Sequence, residues 1–373
     1  MTATRHDTNE IARLRREVRE LTDAWRAEGR YVPRSDNWMR GFDPDFSREL
    51  ATRGLIGITW PREFGGAGQS QRARLAVNEE LLRAGAPVAA HWIGDRQIGP
   101  AVLRHGTPEL QKEVLPGIAA GRSVFCLGMS EPEAGSDLAA VRTTATAVEG
   151  GWRVNGRKIW TTGAHKATHA YLLARTARGE RKHEGLTEFI VDMDTPGVEV
   201  SPIVDLAGEQ HFNEMVFTDV FVPGHRVLGT VGNAWRQVTE QLSFERGGPE
   251  RFLSTYPLFA LAVRDAASVG SDDLKAALGR LVARLATLRR LAWKVATSLD
   301  GGAAPVVDAA TLKYLGNAFE NDVIDFARRL CAPDRPELSA TWGQALLASP
   351  GFTIRGGAAD VLLSIIAKQE TRP

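Results

Sequence analysis

The sequence predicts an α+β fold in three consecutive parts: an N-terminal α-helical domain (residues 1–122), a middle β-barrel or sandwich domain (123–226) and a C-terminal four-helix bundle (227–373). Three observations carry this. Apolar residues recur at helical spacing towards both ends of the chain, the recurrence changes to alternation in the middle, and Gly and Pro punctuate the alternating region throughout. A length of 373 residues exceeds one ordinary core and suggests two or three domains.

Near the N-terminus, Ile11, Leu14, Val18 and Leu21 mark the buried stripe of an amphipathic helix. Arg13, Arg15, Arg16 and Arg19 are interleaved with Glu10, Glu17 and Glu20, a mixture expected of a solvated, salt-bridged face and not of a transit peptide. Val77, Leu81 and Leu82 keep helical spacing further on. Pro108 opens another helix after Thr107 in HGTPELQKEVLPGIAAG, which Gly117 and Gly121 are expected to close. Ahead of Val77 lies PREFGGAGQS (61–70), read as a connecting loop, because a lone GGxG is weak evidence for phosphate binding.

In the middle segment, Trp152 and Val154 alternate into Asn155-Gly156, a pair that favours a two-residue hairpin turn, before Ile159, Trp160, Thr161 and Thr162. Further strands are expected at 170–174, 187–192, 198–203 and 215–222. From residue 227 helical spacing returns. Leu274, Leu281, Leu288 and Val295 repeat every seven residues, with Leu278, Leu285 and Ala292 in a second seam, as in an antiparallel bundle. Ser271 is placed to cap that helix. Leu312, Leu315, Phe319, Phe326 and Leu330 give the next helix the same stripe.

Composition excludes several functions. The net charge of +1 lacks the electrostatic footprint of a nucleic-acid binder, and no apolar run approaches the ~20 residues of a membrane span. Cys126 and Cys331 form neither a disulfide framework nor a metal-ligand spacing; they are expected to be small buried residues, and a reducing cytoplasm is the expected compartment. His165 and His169 stand four apart with no acidic third ligand nearby, so no metal is expected. Neither a G-x-S-x-G elbow nor a P-loop is present.

One carboxylate is out of place. Trp235, Val238 and Leu242 step by three and four along a helix expected at 233–246, and the next step lands on Glu245, while Glu240 points to the opposite side. A carboxylate on an apolar face is expensive unless paired or employed. Glu245 is therefore either a base or one member of a structural ion pair, with Arg246 or a bundle partner.

The stretch FCLGMSEPEAGSDLAAV (125–141), followed by GWRVNGRKIWTTGA (151–164), sets small polar donors beside an indole and two hydroxyls, a surface suited to a flat heteroaromatic ligand that carries phosphates. In that order the two resemble the paired flavin-binding motifs of the acyl-CoA dehydrogenase family. LSFER (242–246) is similar to the helix motif on which one branch of that family carries its base. The other branch has its base in a YEGTSE-like segment, which here resembles RGGAAD (355–360) with Gly356 in place of the Glu, so the resemblance favours Glu245. The helix–strand–helix order extends the likeness over nearly the whole chain.

The resemblance implies FAD as the cofactor. Backbone groups of Leu127 and Met129 and the Ser130 hydroxyl would contact the isoalloxazine, Trp160 and Thr161 would lie against it, Thr162 would reach the N5 edge, and Ser136 would lie near the phosphates or the thioester arm. Substrate contacts would come from Ser136, Phe244, Arg246 and Gly356, whose N–H would join a ribityl hydroxyl in holding the thioester oxygen. The implied reaction is α,β-desaturation of an acyl-CoA or acyl-carrier-protein thioester: Glu245 removes the α-proton and the β-hydrogen leaves as hydride to flavin N5. An electron-transfer flavoprotein or similar acceptor would follow. Oxidase or monooxygenase chemistry is the alternative within the same family.

The pattern also breaks. The family's Arg followed by Phe-Gly, and its later Gln with a Gly-Gly pair, come from a neighbouring subunit and hold the pyrophosphate and adenosine. Here those regions read FLSTYPLFALAVRDA and ARRLCAPDRPELSATWG, and Ala358 and Ala359 replace the usual Thr and Ser. The expected assembly is accordingly a homo-oligomer (dimer or tetramer) that holds adenine differently, or a heteromer in which a sister subunit supplies the missing groups.

Overall fold

The computed structural model describes residues 5–269 and 271–370, with side chains for all of these except 5–7, 242–245, 369 and 370. Two compact units partition the chain. One comprises Met1–Phe42, Gln69–Val88 and Ser243–Pro373; the other comprises Asp43–Gly68 and Ala89–Leu242.

The first unit is helical: α1 (Arg5–Ala27), α2 (Asn37–Arg40) and, after the other unit's α3 (Pro44–Thr52), α4 (Gln71–Arg83). Its C-terminal part adds α9 (Tyr256–Val269), α10 (Asp272–Asp300), α11 (Val306–Arg328), α12 (Pro336–Ala348) and α13 (Ala359–Glu370). Leu14, Val18 and Leu21 of α1 are buried as their spacing predicts. The charges of α1 depart from expectation. Arg13 does pair with Glu10 and Glu17 on the surface, but Arg15 reaches buried Glu79 and Glu80 of α4, and Arg19 also binds Glu80. Burial pushes the Glu80 carboxyl up, yet hydrogen bonds from Arg19 and Arg15 and the charge of Arg83 outweigh it and hold the group down at about 2. These arginines tie two helices together.

The first bundle seam matches its heptads, whereas Leu278 and Leu285 of the second are only half-buried. Leu274, Leu281, Leu288, Ala292 and Val295 are buried, and Ser271 Oγ accepts the Leu274 N–H at 3.4 Å. On α11, Leu312, Phe319 and Phe326 are buried but Leu315 is 42% exposed, because one face of a helix is narrower than the stripe assigned to it.

The second unit holds α3, α5 (Ala89–Ile93), α6 (Gly99–His105), α7 (Pro108–Ala119), most of α8 (Ala234–Glu245) and a sheet. Its strands are β1 (Phe125–Gly128), β2 (Thr144–Val148), β3 (Gly151–Thr162), β4 (His169–Arg175), β5 (Leu186–Asp192), β6 (Val198–Val204), β7 (Gln210–Pro223) and β8 (Val227–Leu228). They are ordered β6-β7-β3-β2-β4-β5-β8, with β1 parallel to β4. The helix before them begins where expected, with Thr107 accepting the Leu110 N–H, but Gly117 lies inside α7 and only Gly121 follows its end.

The expected hairpin turn at Asn155-Gly156 is corrected. The β2–β3 turn lies at Glu149-Gly150, with Val148 opposite Gly151, and Asn155-Gly156 lies within the 12-residue strand β3. There the pairing with β7 shifts register between Val154 and Gly156, and a Cβ at Gly156 would collide with Thr143. The same glycine freedom that closes a hairpin also permits a bulge.

Apolar packing fixes the layers. Leu110, Val114, Leu115 and Ile118 of α7 close over Phe125, Tyr171 and Ile190, while Cys126, Val154, Leu172, Phe189 and Met215 form a second core. A third, smaller core seats α8: Ala234 and Val238 pack with Ala134, Val141, Leu173 and Leu186, and Trp235 lies against them.

Candidate functional site

The two motifs singled out in the sequence meet in the second unit. After β1 the chain turns sharply, with Glu131 N–H to Ala134 O at 2.9 Å and the reciprocal bond at 3.0 Å. Strand β3 is attached to this turn at three points. Ile159 N–H donates to Ser130 O at 2.9 Å, and Lys158 Nζ donates to Met129 O at 3.1 Å and to Glu131 Oε1 at 2.8 Å. Glu131 also accepts the Arg142 and Thr143 amides at 2.6 and 2.9 Å.

The Lys158–Glu131 pair is almost wholly buried. Burial pushes the Lys158 ammonium down to about 8. Burial acts on Glu131 in the opposite sense, but Lys158 and the amide donors outweigh it and hold the carboxyl below its usual range. Sequence reasoning missed this pair. A signal existed: Lys158 shares the inward phase of β3 with Val154.

Beyond Lys158, β3 bulges against β7, and Trp160 adopts a left-handed backbone, φ 60°. A bulky residue there is strained, and its indole is 57% exposed, so apolar burial does not repay the strain. The ring stands edge-on to Phe212 at 5.9 Å. Thr161 turns inward with its hydroxyl buried and without a hydrogen-bond partner, while Asn213 Nδ2 donates to its carbonyl at 3.0 Å. Thr162 is half-buried opposite Phe212. Leu127, Met129 and Ser130 are half-buried, and Ser136 is exposed on the loop that follows.

These features fit a flavin. A ring-sized exposed indole, a buried hydroxyl awaiting a donor or acceptor, and the small polar loop of Ser130 and Ser136 are the groups a flat heteroaromatic with a phosphate tail requires.

The other predicted residues belong to the first unit. Glu245 is the last residue of α8; its side chain and that of Phe244 lie outside the described residues. Glu240 is paired with Arg104 at 3.0 Å, away from buried Val238. Arg246 is buried and donates from Nε to Gly356 O at 3.2 Å. Gly356 and Gly357 both have positive φ, 68° and 107°, so the glycine at 356 meets a backbone requirement besides leaving space.

Two more buried carboxylates escaped the sequence reading. Glu188 of β5 accepts from Gln237 Nε2 at 2.8 Å and lies beside Gln241, both on α8; burial raises it to about 7. It interrupts LTEFIVD, a run apolar enough to be covered on both faces. Glu320 of α11 accepts the Ser254 N–H at 2.8 Å and is likewise raised to about 7 by burial. His165 bonds Asn213 and His169 stacks on Phe125; among the described residues no cluster of three or more His, Cys, Asp or Glu is placed to hold a metal ion. No helix among them is long and apolar enough to cross a membrane.

Residues 8–122, 126–220 and 262–371 match, respectively, the N-terminal, middle and C-terminal domains of acyl-CoA dehydrogenases. Acyl-CoA dehydrogenase IpdE1 of Mycobacterium tuberculosis is 42% identical over 54% of this chain and 52% of its own, so the match spans about half that relative's length. Acyl-CoA dehydrogenase FadE29 of the same organism is 33% identical over 86% of each chain. Among solved structures, the Tcur3481-Tcur3483 steroid ACAD is 27% identical with a TM-score of 0.83, covering 97% of each chain. With its helical, sheet and helical segments in the order those relatives share, the chain belongs to the acyl-CoA dehydrogenase family of FAD-dependent oxidoreductases.

Proposed function

We propose that this protein binds FAD and uses it to desaturate an acyl thioester between Cα and Cβ. The observation that carries the reading is the attachment of the Ser130-Glu131 turn to β3, which presents a strained, exposed Trp160 next to the unpartnered Thr161 hydroxyl. In this reading Leu127, Met129, Ser130, Trp160, Thr161 and Thr162 hold the isoalloxazine, and Ser136 serves the phosphates or the thioester arm. Bound FAD supplies the hydride acceptor. Glu245 takes the α-proton as general base. The Gly356 N–H donates to the thioester oxygen and so stabilises the enolate that forms as the proton leaves. Phe244 and Arg246 border the acyl group. An electron-transfer flavoprotein or similar protein reoxidises the enzyme, in the cytoplasm.

The test is Glu245→Gln. It keeps the yellow flavin and loses reduction by acyl-CoA; a variant that is still reduced at the wild-type rate refutes Glu245 as the base. The substrate to try first is a bulky steroid-derived acyl-CoA, because a 27% identical neighbour over nearly its whole length is a steroid ACAD.

A second reading concerns assembly. The Arg-Phe-Gly and Gln/Gly-Gly motifs that grip the adenine side are missing from this chain, and that same neighbour is named for a pair of proteins. A sister chain then completes the FAD site. Flavin stoichiometry after gel filtration separates the cases: one FAD per chain when expressed alone favours self-assembly, and a folded, colourless protein that gains FAD with its sister favours the heteromer.

A further inference from the structure

We propose that Asp36 and Arg355 are positioning residues for the Gly356 amide: Asp36 holds the Arg355 side chain so that the peptide plane between Arg355 and Gly356 keeps one orientation. The proposal rests on the reading of the Gly356 N–H as a donor to the thioester oxygen.

Two successive glycines at positive φ give this loop little rigidity of its own, so its orientation has to come from anchors. One lies on the C-terminal side of the Gly356 N–H, where Gly356 O accepts from Arg246 Nε at 3.2 Å. The other lies on its N-terminal side. Arg355 Nη1 is 2.7 and 2.8 Å from the two carboxylate oxygens of Asp36, and Nη2 donates to Ser254 Oγ at 3.3 Å. The guanidinium also lies over the Trp38 and Phe352 rings, 4.6 and 4.8 Å from their centroids. A planar fork that is paired, bonded and stacked has very few rotamers open to it.

Asp36 is itself locked. It is 2% exposed, takes a left-handed backbone at φ 61°, and donates its N–H to Ser254 O at 2.8 Å. Strain of this kind persists where the surroundings over-determine it. With both flanks of the amide held, the direction of the N–H is set before substrate arrives, which is what an oxyanion donor needs.

The experiment compares wild type, Asp36→Asn and Arg355→Lys as the flavin-loaded assembly. Asparagine tolerates the left-handed backbone but removes the charge; lysine keeps the charge but not the fork. The first readout is amide hydrogen exchange in peptides covering residues 352–358, expected to speed up about tenfold in both variants by local loosening while the β domain is unchanged. The second is flavin reduction at saturating acyl-CoA, expected to fall by about 10- to 100-fold with FAD content and half-saturation within threefold, the size of a misplaced donor. Unchanged exchange in this segment, or a rate loss that follows FAD loss, overturns the proposal. If Asp36→Asn does not fold, Arg355→Lys decides alone. A wild-type flavin that no acyl thioester reduces overturns the oxyanion reading itself, and the proposal with it, whatever the exchange data.

Discussion

Replacing Lys158 with methionine tests how the Ser130-Glu131 turn and strand β3 are held together. The substitution keeps an unbranched chain of similar length in a site that is fully buried, and removes the ammonium. Glu131 then loses a 2.8 Å charged hydrogen bond, while Met129 O loses its 3.1 Å donor. A hydrogen bond to a charged group contributes about 1.5–3 kcal/mol, and the half-buried Met129 carbonyl loses a donor that water replaces in part. The Arg142 and Thr143 amides still reach Glu131, which keeps the penalty towards the lower end of the roughly 3–5 kcal/mol expected when one partner of a buried pair is removed. Lys158→Met should therefore destabilise by about 3 kcal/mol. Glu131→Gln/Lys158→Met removes both charges together and should recover about half of that. Denaturant unfolding of the four proteins in the cycle, followed by tryptophan fluorescence, measures the coupling, and FAD titration reports whether the Ser130 turn has moved. A single variant as stable as wild type, or a double variant whose loss is the plain sum of the two singles, refutes the idea that this pair joins the motifs.

Three further outcomes follow from the same geometry. Trp160→Gly relieves the left-handed strain and loses little burial, so apo stability should stay within about 1 kcal/mol of wild type while FAD affinity falls tenfold or more; unchanged affinity would show that the indole does not touch the flavin. Glu188 and Glu320 are raised from 4.5 to about 7 by burial, so their contribution to stability is full below pH ~4.5 and is lost as pH rises through 7, by about 3 kcal/mol each. Glu188→Gln and Glu320→Gln should accordingly gain melting temperature relative to wild type as pH rises from about 4.5 to 7 and level off above it, and a difference independent of pH would contradict that sign. The Glu245→Gln variant, coloured but not reduced by acyl-CoA, completes the set.

The legible parts of the fold share one cause. Strands β6 and β7 and the α10 seam were readable because burial on one face imposes a period of 2 or 3.6 on adjacent residues, while β4 and β5, buried on both faces, were readable as short continuous apolar runs. Asn155-Gly156 misled because the backbone freedom of a glycine serves a turn or a bulge equally well, and only the neighbouring strand β7 decides which. Leu315 misled because its spacing did not reveal how wide the buried face of α11 would be.

At the candidate site the division is similar. The order of helical, sheet and helical segments, the two motifs at 125–141 and 151–164 and the place of Glu245 at the end of its helix were legible in the sequence, since these depend on residues close together in the chain. Tertiary structure decided that Lys158 is an internal cation for Glu131, that Arg15 and Arg19 serve buried glutamates, and that Asp36 holds Arg355 from 319 residues away. A charged side chain looks the same in sequence whether water or a distant partner solvates it. The identity of its neighbours in space settles which, because a buried charge persists only where hydrogen bonds and opposite charge replace the water it has lost.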